Sequence, residues 1–481
     1  MSYKSILKLI SLISLTLGAF LILELIVAII YKENWLKLAI FIFSFIAVNL
    51  AIYLWLKSKK QKLKLGIKES ILSVNLLWLI LGAVGAVPLI LYTNVTWASA
   101  FFEAISGFTT TGATVYTDIE ALPHFILFHR SLMHWMGGMG IIVLGVGLLS
   151  IINPTGSLSL FKAESTGVTL EKLTPKIKDT ALILWGVYLG LTLLDTLFLK
   201  LFGMSWFDAI NHAFSTISTG GFSTKNSSLG YYNSYAIYWT TTIFMILSGV
   251  NFLAHVKLFY RDISGYRSEE FNWYIAIFLI LSIALTFVHA HSGVELDDSA
   301  THSFFTVASV MTTTGFATTD YALWSHMAIG IIFIAMLVGG NTGSTAGGIK
   351  IIRYLITFKT LIAELKRIVH PNAHISVYID AKKLANTVIT STFGFIFIYI
   401  MTNVLLAIYI YARGYDTMTA VSGALALVGN IGPGFGAVGP ANNFADFSDI
   451  DKIIFSIAMI IGRLEFYTVF VLMSREFWKK F

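Results

Sequence analysis

Ile105-Ser106-Gly107-Phe108-Thr109-Thr110-Thr111-Gly112-Ala113-Thr114 is the stretch that decides the fold. Apolar runs of membrane length lie on both sides of it, at about 70–92 and 125–152. Its core, Thr110-Thr111-Gly112, returns as Ser218-Thr219-Gly220, Thr313-Thr314-Gly315 and Asn430-Ile431-Gly432, each time between two apolar runs. The glycines stand 108, 95 and 117 residues apart (220−112, 315−220, 432−315). One chain therefore reads as four copies of a helix–re-entrant loop–helix unit. Four copies are what a pore needs if it strips water from an ion with rings of backbone carbonyls. A lone Thr-Thr-Gly would say little, because small and hydroxyl residues are common wherever membrane helices pack closely. Four on one face of the membrane carry more weight.

Composition agrees. Of 481 residues, 56% are hydrophobic and 12% charged, with a mean hydropathy of +0.77. Soluble domains are about 25% charged. The chain reads as a polytopic membrane protein. The net charge of +7 does not point to nucleic acid, since the positive residues sit in loops between apolar runs. Without cysteine, disulfides, thiolate chemistry and Cys-based metal sites are excluded. Residues 9–31 are long enough to span and lack a small-residue cleavage pattern.

Spans are expected at about 8–31, 36–56, 70–92, 125–152, 180–203, 234–258, 272–292, 322–338 continuing beyond a break, 384–412 and 450–474. Every second connection is basic. Lys57, Lys59, Lys60, Lys62, Lys64 and Lys68 come first, then Lys162, Lys172, Lys176 and Lys178, then Lys257, Arg261 and Arg267. Lys359, Lys366, Arg367, Lys382 and Lys383 follow, and Arg475, Lys479 and Lys480 end the chain. The alternate connections hold Asp118, Glu120, Glu295, Asp297, Asp298, Asp446, Asp449 and Asp451. By the positive-inside rule both termini are cytoplasmic. Trp35, Trp97, Trp206 and Trp239 read as interface anchors.

The re-entrant segments, about 97–112, 206–220, 300–315 and 416–432, are too short to cross. Each suits a half-helix and an extended return. Acids near their starts, Glu103, Asp208, Asp298 and Asp416, complement a helix dipole whose negative end would face a dehydrating cation. Glycine permits the backbone angles that turn carbonyls to the axis. The hydroxyls before it add ligands or pack behind the strand. Hard oxygen donors suit alkali cations.

The loop at 105–114 resembles the first pore loop of the Trk/Ktr/HKT superfamily of potassium transporters, and RSLMHWMGGMGIIVL at 130–144 is similar to the helix that follows it there. Ser218-Thr219-Gly220-Gly221-Phe222-Ser223, Thr312-Thr313-Thr314-Gly315-Phe316 and Gly429-Asn430-Ile431-Gly432-Pro433-Gly434 resemble the other three loops. The extra spans at 8–56 are similar to the TrkH branch. Glycine at all four filter positions implies, by that resemblance, potassium as the transported ion. The fourth loop, with Asn430, Ile431 and Pro433, matches the family's own fourth loop and implies imperfect fourfold symmetry. The resemblance also implies a homodimer and a cytoplasmic TrkA-type nucleotide-binding partner. Any nucleotide or NAD would belong to that partner, and this chain is expected to need no cofactor of its own.

The eighth span is interrupted by Gly339-Gly340-Asn341-Thr342-Gly343-Ser344-Thr345-Ala346-Gly347-Gly348, followed by Ile349-Lys350. Five glycines in ten residues cannot sustain a helix, at about 1 kcal/mol each relative to alanine. Backbone of this kind in mid-membrane must be wet or protein-buried. It resembles the family's intramembrane gate beneath the filter. A phosphate cradle would need G-x-x-x-x-G-K-[ST], which is absent. A passive kink is the plainer alternative. Arg463, in the last span beside Glu465, needs a cavity or a partner. It is expected to point under the filter and touch the 339–348 loop as a positive barrier, or else to pair with Glu465. Glu24 and Asp195 either satisfy neighbouring helices or relay protons. His134 and His289 are too isolated for a metal site.

The expected fold is an all-α polytopic membrane protein with four parallel helix–pore loop–helix repeats around a central pore. The segments are 1–68 (a two-helix N-terminal extension), 69–170, 171–265, 266–370 with the gate loop, and 371–481. The expected function is potassium uptake through the bacterial or archaeal cell (inner) membrane. A proton- or sodium-coupled secondary cation transporter is the alternative, but it predicts inverted repeats, and here the copies begin on the same side. An intramembrane enzyme would need a nucleophile–base pair, a carboxylate metal cluster or HExxH, and none is evident.

Overall fold

The computed structural model describes residues 3–59, 66–152 and 177–479. Lys60, Lys62, Lys64, Lys162, Lys172, Lys176 and Lys480, and the expected boundary at 170, lie outside those residues. Two helices, α1 (Tyr3–Ile30) and α2 (Leu36–Ser58), pack on each other and precede the rest. A single order of elements then recurs four times: a long helix, a short helix, an extended return and a second helix. The first set is α3 (Ile67–Tyr92), α4 (Trp97–Phe108) and α5 (His124–Ile152). The second is α6 (Ile177–Leu201), α7 (Trp206–Ile217), α8 (Tyr235–Ser248) and α9 (Phe252–Phe259). The third is α10 (Glu269–His291), α11 (Leu296–Met311), α12 (His326–Leu337) and α13 (Ile351–Val369). The fourth is α14 (Asn386–Ala412), α15 (Thr417–Val428) and α16 (Asp449–Arg463).

The short helices are 12, 12, 16 and 12 residues long. At 1.5 Å per residue none crosses a hydrocarbon layer of about 30 Å. Three start at side-chain caps: Thr96 accepts from Ser99 N, Ser205 from Asp208 N and Asp416 from Thr419 N. Each short helix lies on the long helix before it: α4 on α3, α7 on α6, α11 on α10 and α15 on α14. Each also packs on the second helix of the preceding set: α7 on α5, α11 on α8, α15 on α12 and α4 on α16. The last contact joins the fourth set to the first and closes a ring.

Among the described residues, six helices are long and apolar enough to cross a membrane. Their outward faces keep residues such as Phe43, Leu54, Ile280 and Leu405 exposed, as a lipid-facing perimeter requires. Two expected spans are not straight. Within 234–258 the chain bends by 95° between α8 and α9, and within 450–474 it bends by 112° after α16. At the first bend the Gly249 carbonyl accepts Asn341 N (2.8 Å), and a Cβ on Gly249 would lie 2.2 Å from the Tyr274 hydroxyl. At the second, Glu465 and Phe466 adopt left-handed backbone (φ 54° and 62°). The sequence marks neither corner, because both are imposed by what packs there. A two-stranded hairpin, β1 (Tyr378–Ile379) and β2 (Lys382–Lys383), follows α13.

Candidate functional site: a four-loop ring and the loop beneath it

All four short helices end the same way. Thr110, Thr219, Thr313 and Asn430 follow their C-caps with φ of 53°, 56°, 57° and 55°. The next amide reaches back five residues: Thr111 N to Ser106 O, Gly220 N to Ser215 O, Thr314 N to Ser309 O and Ile431 N to Ala426 O, at 2.8–2.9 Å. Asparagine tolerates this backbone, whereas a β-branched threonine is strained there by roughly 1–2 kcal/mol. Strain repeated at equivalent positions marks a constrained site.

This backbone corrects the register of the second loop. The left-handed glycines are Gly112, Gly221, Gly315 and Gly432, with φ of 80°, 84°, 83° and 95°. Gly220 is therefore the partner of Thr111, Thr314 and Ile431, and Gly221 is the partner of Gly112. With two adjacent glycines, sequence cannot say which one turns; the hydrogen bond from Gly220 to Ser215 decides it.

The glycines explain how close the loops come. A Cβ on Gly112 would lie 2.1 Å from the Gly220 carbonyl oxygen, one on Gly221 2.0 Å from that of Thr314, one on Gly315 2.2 Å from that of Ile431, and one on Gly432 2.5 Å from that of Thr111. Each loop thus touches the next and the fourth touches the first. The carbonyls of Thr111, Gly220, Thr314 and Ile431 form one ring. A cavity above it is lined by Gly112, Gly221, Gly315 and Gly432.

Several hydroxyls serve the protein behind the strands. Thr109 bonds Ile105 O and Thr111 Oγ1 (both 2.7 Å), and Thr312 bonds Ala308 O (2.6 Å) and Thr314 Oγ1 (2.7 Å). Asn430 Nδ2 donates to Thr111 Oγ1 (2.9 Å) and to Met459 O (3.0 Å), joining the fourth loop to the first. Glu103 is not near a helix start. It lies in the middle of α4, fully buried, and accepts from Arg130 Nε (2.8 Å), Thr114 Oγ1 (2.9 Å) and Val115 N (2.9 Å). Asp208 and Asp298 do lie in first turns, and Asp416 caps its helix. Bonds from the Thr419 hydroxyl and amide hold the Asp416 carboxyl below the usual carboxylate range.

The glycine-rich segment lies against this ring. Gly347 N donates to Thr313 Oγ1 (2.6 Å), and a Cβ on Gly347 would meet Gly429 O at 2.4 Å. Thr345 Oγ1 bonds Ile217 O (3.1 Å) and Ser248 O (3.3 Å). Gly339 N to Ile349 O (2.9 Å) and Ile351 N to Gly340 O (3.2 Å) close the loop's base. Asn341 N reaches Gly249 O, Gly343 O accepts Phe252 N (3.0 Å), and Ser344 Oγ bonds Asn341 O (2.6 Å). Gly343 and Gly348 need left-handed backbone (φ 74° and 67°). Thr342 gives its amide (2.7 Å) and hydroxyl (3.0 Å) to Glu270 Oε1. Lys350 Nζ donates to Ala346 O.

Arg463 is buried, and its Nη1 donates to Thr345 O (2.9 Å). Among the described residues, its Nε and Nη2 have no hydrogen-bond partner. Glu465 pairs with Arg353 instead (2.6 Å). Glu270 escaped notice in the sequence, as did its neighbour Glu269, which bonds Asp380 N (3.0 Å) and Lys359 Nζ while Asp380 Oδ1 accepts Glu269 N (2.8 Å). Adjacent carboxylates at the start of α10 thus hold the glycine-rich loop and the β1–β2 turn.

Elsewhere, Glu24 meets His129 Nδ1 (2.7 Å), whose Nε2 meets Gly85 O (2.8 Å). Asp195 is fully buried on α6. His289 stacks on Trp324, and His134 stacks on Phe222, with ring centroids 4.0 Å apart in each pair. The described residues contain no cluster of three or more His, Cys, Asp or Glu fit for a metal ion.

Comparison with known proteins agrees with this architecture. The family model described as TrkH, cation transport protein, matches residues 36–480. Over 489 residues the chain is 38% identical to the Trk system potassium uptake protein TrkH of Salmonella typhimurium and 37% identical to that of Escherichia coli K12, with 100% of both chains covered in each case. The crystal structure of the potassium transporter TrkH from Vibrio parahaemolyticus superposes with a TM-score of 0.89 at 33% identity, covering 100% of both chains. The chain belongs to the TrkH family of cation transport proteins.

Proposed function

We propose that the chain is the ion-translocating subunit of a potassium uptake system. Relatives matched over their full length are potassium uptake proteins, and transport rather than enzymatic catalysis is their function. The cyclic contact of four loops, in which the glycine of each leaves room only for the carbonyl of the next, carries the mechanistic reading. Potassium enters from outside, sheds water against the carbonyls of Thr111, Gly220, Thr314 and Ile431, and meets oxygens already fixed by close packing. Preorganised carbonyls replace the hydration shell at little further ordering cost.

The 339–348 loop is the gate. Its Thr345 carbonyl, held by Arg463, puts a cation beneath the filter and opposes ion passage in this state. Opening requires exchange of a few polar contacts rather than disruption of a core. The adjacent pair Glu269 and Glu270 supports control from the cytoplasmic side, because one grips the hairpin turn and the other the gate loop. A TrkA-type nucleotide-binding partner docking on that face, a homodimer, and cytoplasmic termini complete the proposal. The alternation of basic and acidic connections supports the orientation. The segments 1–68, 69–170, 171–265, 266–370 and 371–481 are then the extension and four pore units.

The test is potassium flux through purified protein in liposomes, with sodium flux and Gly112→Ser alongside. Potassium-selective flux that loses selectivity in the variant supports the filter. A variant indistinguishable from the parent, or no flux even with the cytoplasmic partner added, overturns it.

A further inference from the structure

The filter loops are not held alike. The first and second are joined by Arg130, whose side chain is 1% exposed and whose three donors go to three places. Nε bonds Glu103 on α4 (2.8 Å), Nη2 bonds the Thr114 hydroxyl (3.2 Å), and Nη1 bonds the Ser223 carbonyl (3.2 Å). Thr114 and Ser223 each lie two residues beyond the left-handed glycine of their loop, so Arg130 bridges equivalent points of neighbouring loops. Its guanidinium also stacks on Phe222 (4.1 Å), whose ring packs against His134 one turn further along α5. Thr114 extends the link: its carbonyl accepts Phe444 N (2.8 Å) from beyond the fourth loop. The third and fourth loops have Ala317 and Gly434 at the equivalent point. These carry no hydroxyl, and their amides are satisfied by Ser228 Oγ (3.2 Å) and Val438 O (2.7 Å).

We propose that the Arg130–Glu103 pair is a positioning clamp that sets potassium-over-sodium discrimination by fixing the spacing of the first and second filter loops. The proposal rests on the filter reading above. A guanidinium holds three acceptors in one plane, which a lysine ammonium cannot do. Glu103 adds a second duty by neutralising a cation at the entry side of the ring, where an uncompensated charge would repel incoming ions. Space filling alone needs no buried ion pair, since apolar residues of similar volume often serve as well or better.

Two readouts on purified full-length chain in liposomes test the clamp. One is the potassium-to-sodium flux ratio. The other is the difference in thermal stabilisation between the two ions, which needs no open gate. Arg130→Lys keeps the charge and loses the fork, so the ratio should fall roughly tenfold, the size of a lost charge-assisted hydrogen bond. Thr114→Val removes one arm and the hydroxyl's bond to Glu103 but keeps the Arg130–Glu103 pair, and should lower the ratio about threefold. Glu103→Gln should lower both the ratio and potassium flux; combined with Arg130→Gln it should recover flux without recovering the ratio. If Arg130→Lys and Thr114→Val elute as the parent does and keep its ratio while Gly112→Ser loses it, the clamp is packing only and the proposal fails. If Gly112→Ser also keeps the ratio, the filter reading fails with it. Should Arg130→Lys not fold, Thr114→Val decides.

Discussion

The ring of four loops and the segment just beneath it are both glycine-rich, both irregular and both buried, yet they differ in how much of the holding is steric. In the ring, each glycine sits so close to the next loop's carbonyl that an added Cβ would lie 2.0–2.5 Å from it, at all four junctions. The 339–348 loop shares that closeness at Gly347, against the Gly429 carbonyl, but its outer contacts are single polar ones: Arg463 on Thr345, Glu270 on Thr342, Thr313 on Gly347 and Lys350 on Ala346. Steric closure offers no nearby alternative arrangement, because moving one loop collides with the next. A loop held by single hydrogen bonds can exchange them, at about 0.5–3 kcal/mol each. Under the proposed function, selection needs the first property and gating the second, and the two regions meet where Gly347 lies against Thr313 and Gly429.

Substitutions that move one region towards the character of the other sharpen this contrast. The largest effect is expected of Gly112→Ser. It places a side chain at φ 80° and against the Gly220 carbonyl. Potassium preference should fall by tenfold or more, from strain of about 1–2 kcal/mol plus the clash, read as the potassium-to-sodium flux ratio in liposomes. Retained preference would mean that the ring is not sterically closed. Arg463→Ala comes next. Losing a charge-assisted bond to Thr345 should raise resting potassium flux about tenfold with the ion ratio unchanged; a changed ratio would mean the two regions are not separable.

A smaller rise, about threefold, is expected of Glu270→Ala, which frees the Thr342 amide. Glu270→Gln, still able to accept, should stay near the parent, and equal effects from both would point to charge rather than hydrogen bonding. The smallest change should follow Asp380→Ala. It uncaps the Glu269 amide at the start of α10, a loss of about 1 kcal/mol. Flux in the presence of the cytoplasmic partner should drop no more than about twofold, and a larger drop would make the hairpin turn a principal control point.

Much of this was legible in the residues. The apolar runs gave the six membrane-length helices but not the two bends, and the short segments gave the short helices to within a turn; α11 alone starts earlier than expected, at Leu296. Asn430 stood in for threonine, and the structure gives a reason, since asparagine accepts the left-handed backbone shared by Thr110, Thr219 and Thr313. Less legible was the second loop. Gly220-Gly221 offers two candidates for one turn, and only the hydrogen bond to Ser215 separates them. Arg463 was expected against the 339–348 loop and does bond Thr345 there, but the exact partners of the buried charges were not legible. Glu103 sits 27 positions from Arg130, Glu465 112 from Arg353, and Arg463 118 from Thr345.

The sequence by itself determined that this chain is a multi-pass membrane protein carrying four helices too short to cross, because hydropathy, helix length and glycine act locally along the chain. Only the tertiary structure decided that the fourth loop closes on the first, which glycine of the second loop lines the ring, and where Glu103, Glu270 and Glu465 find their partners. Closure and ion pairing depend on distances between segments tens to hundreds of residues apart, and packing of the whole ring sets those distances.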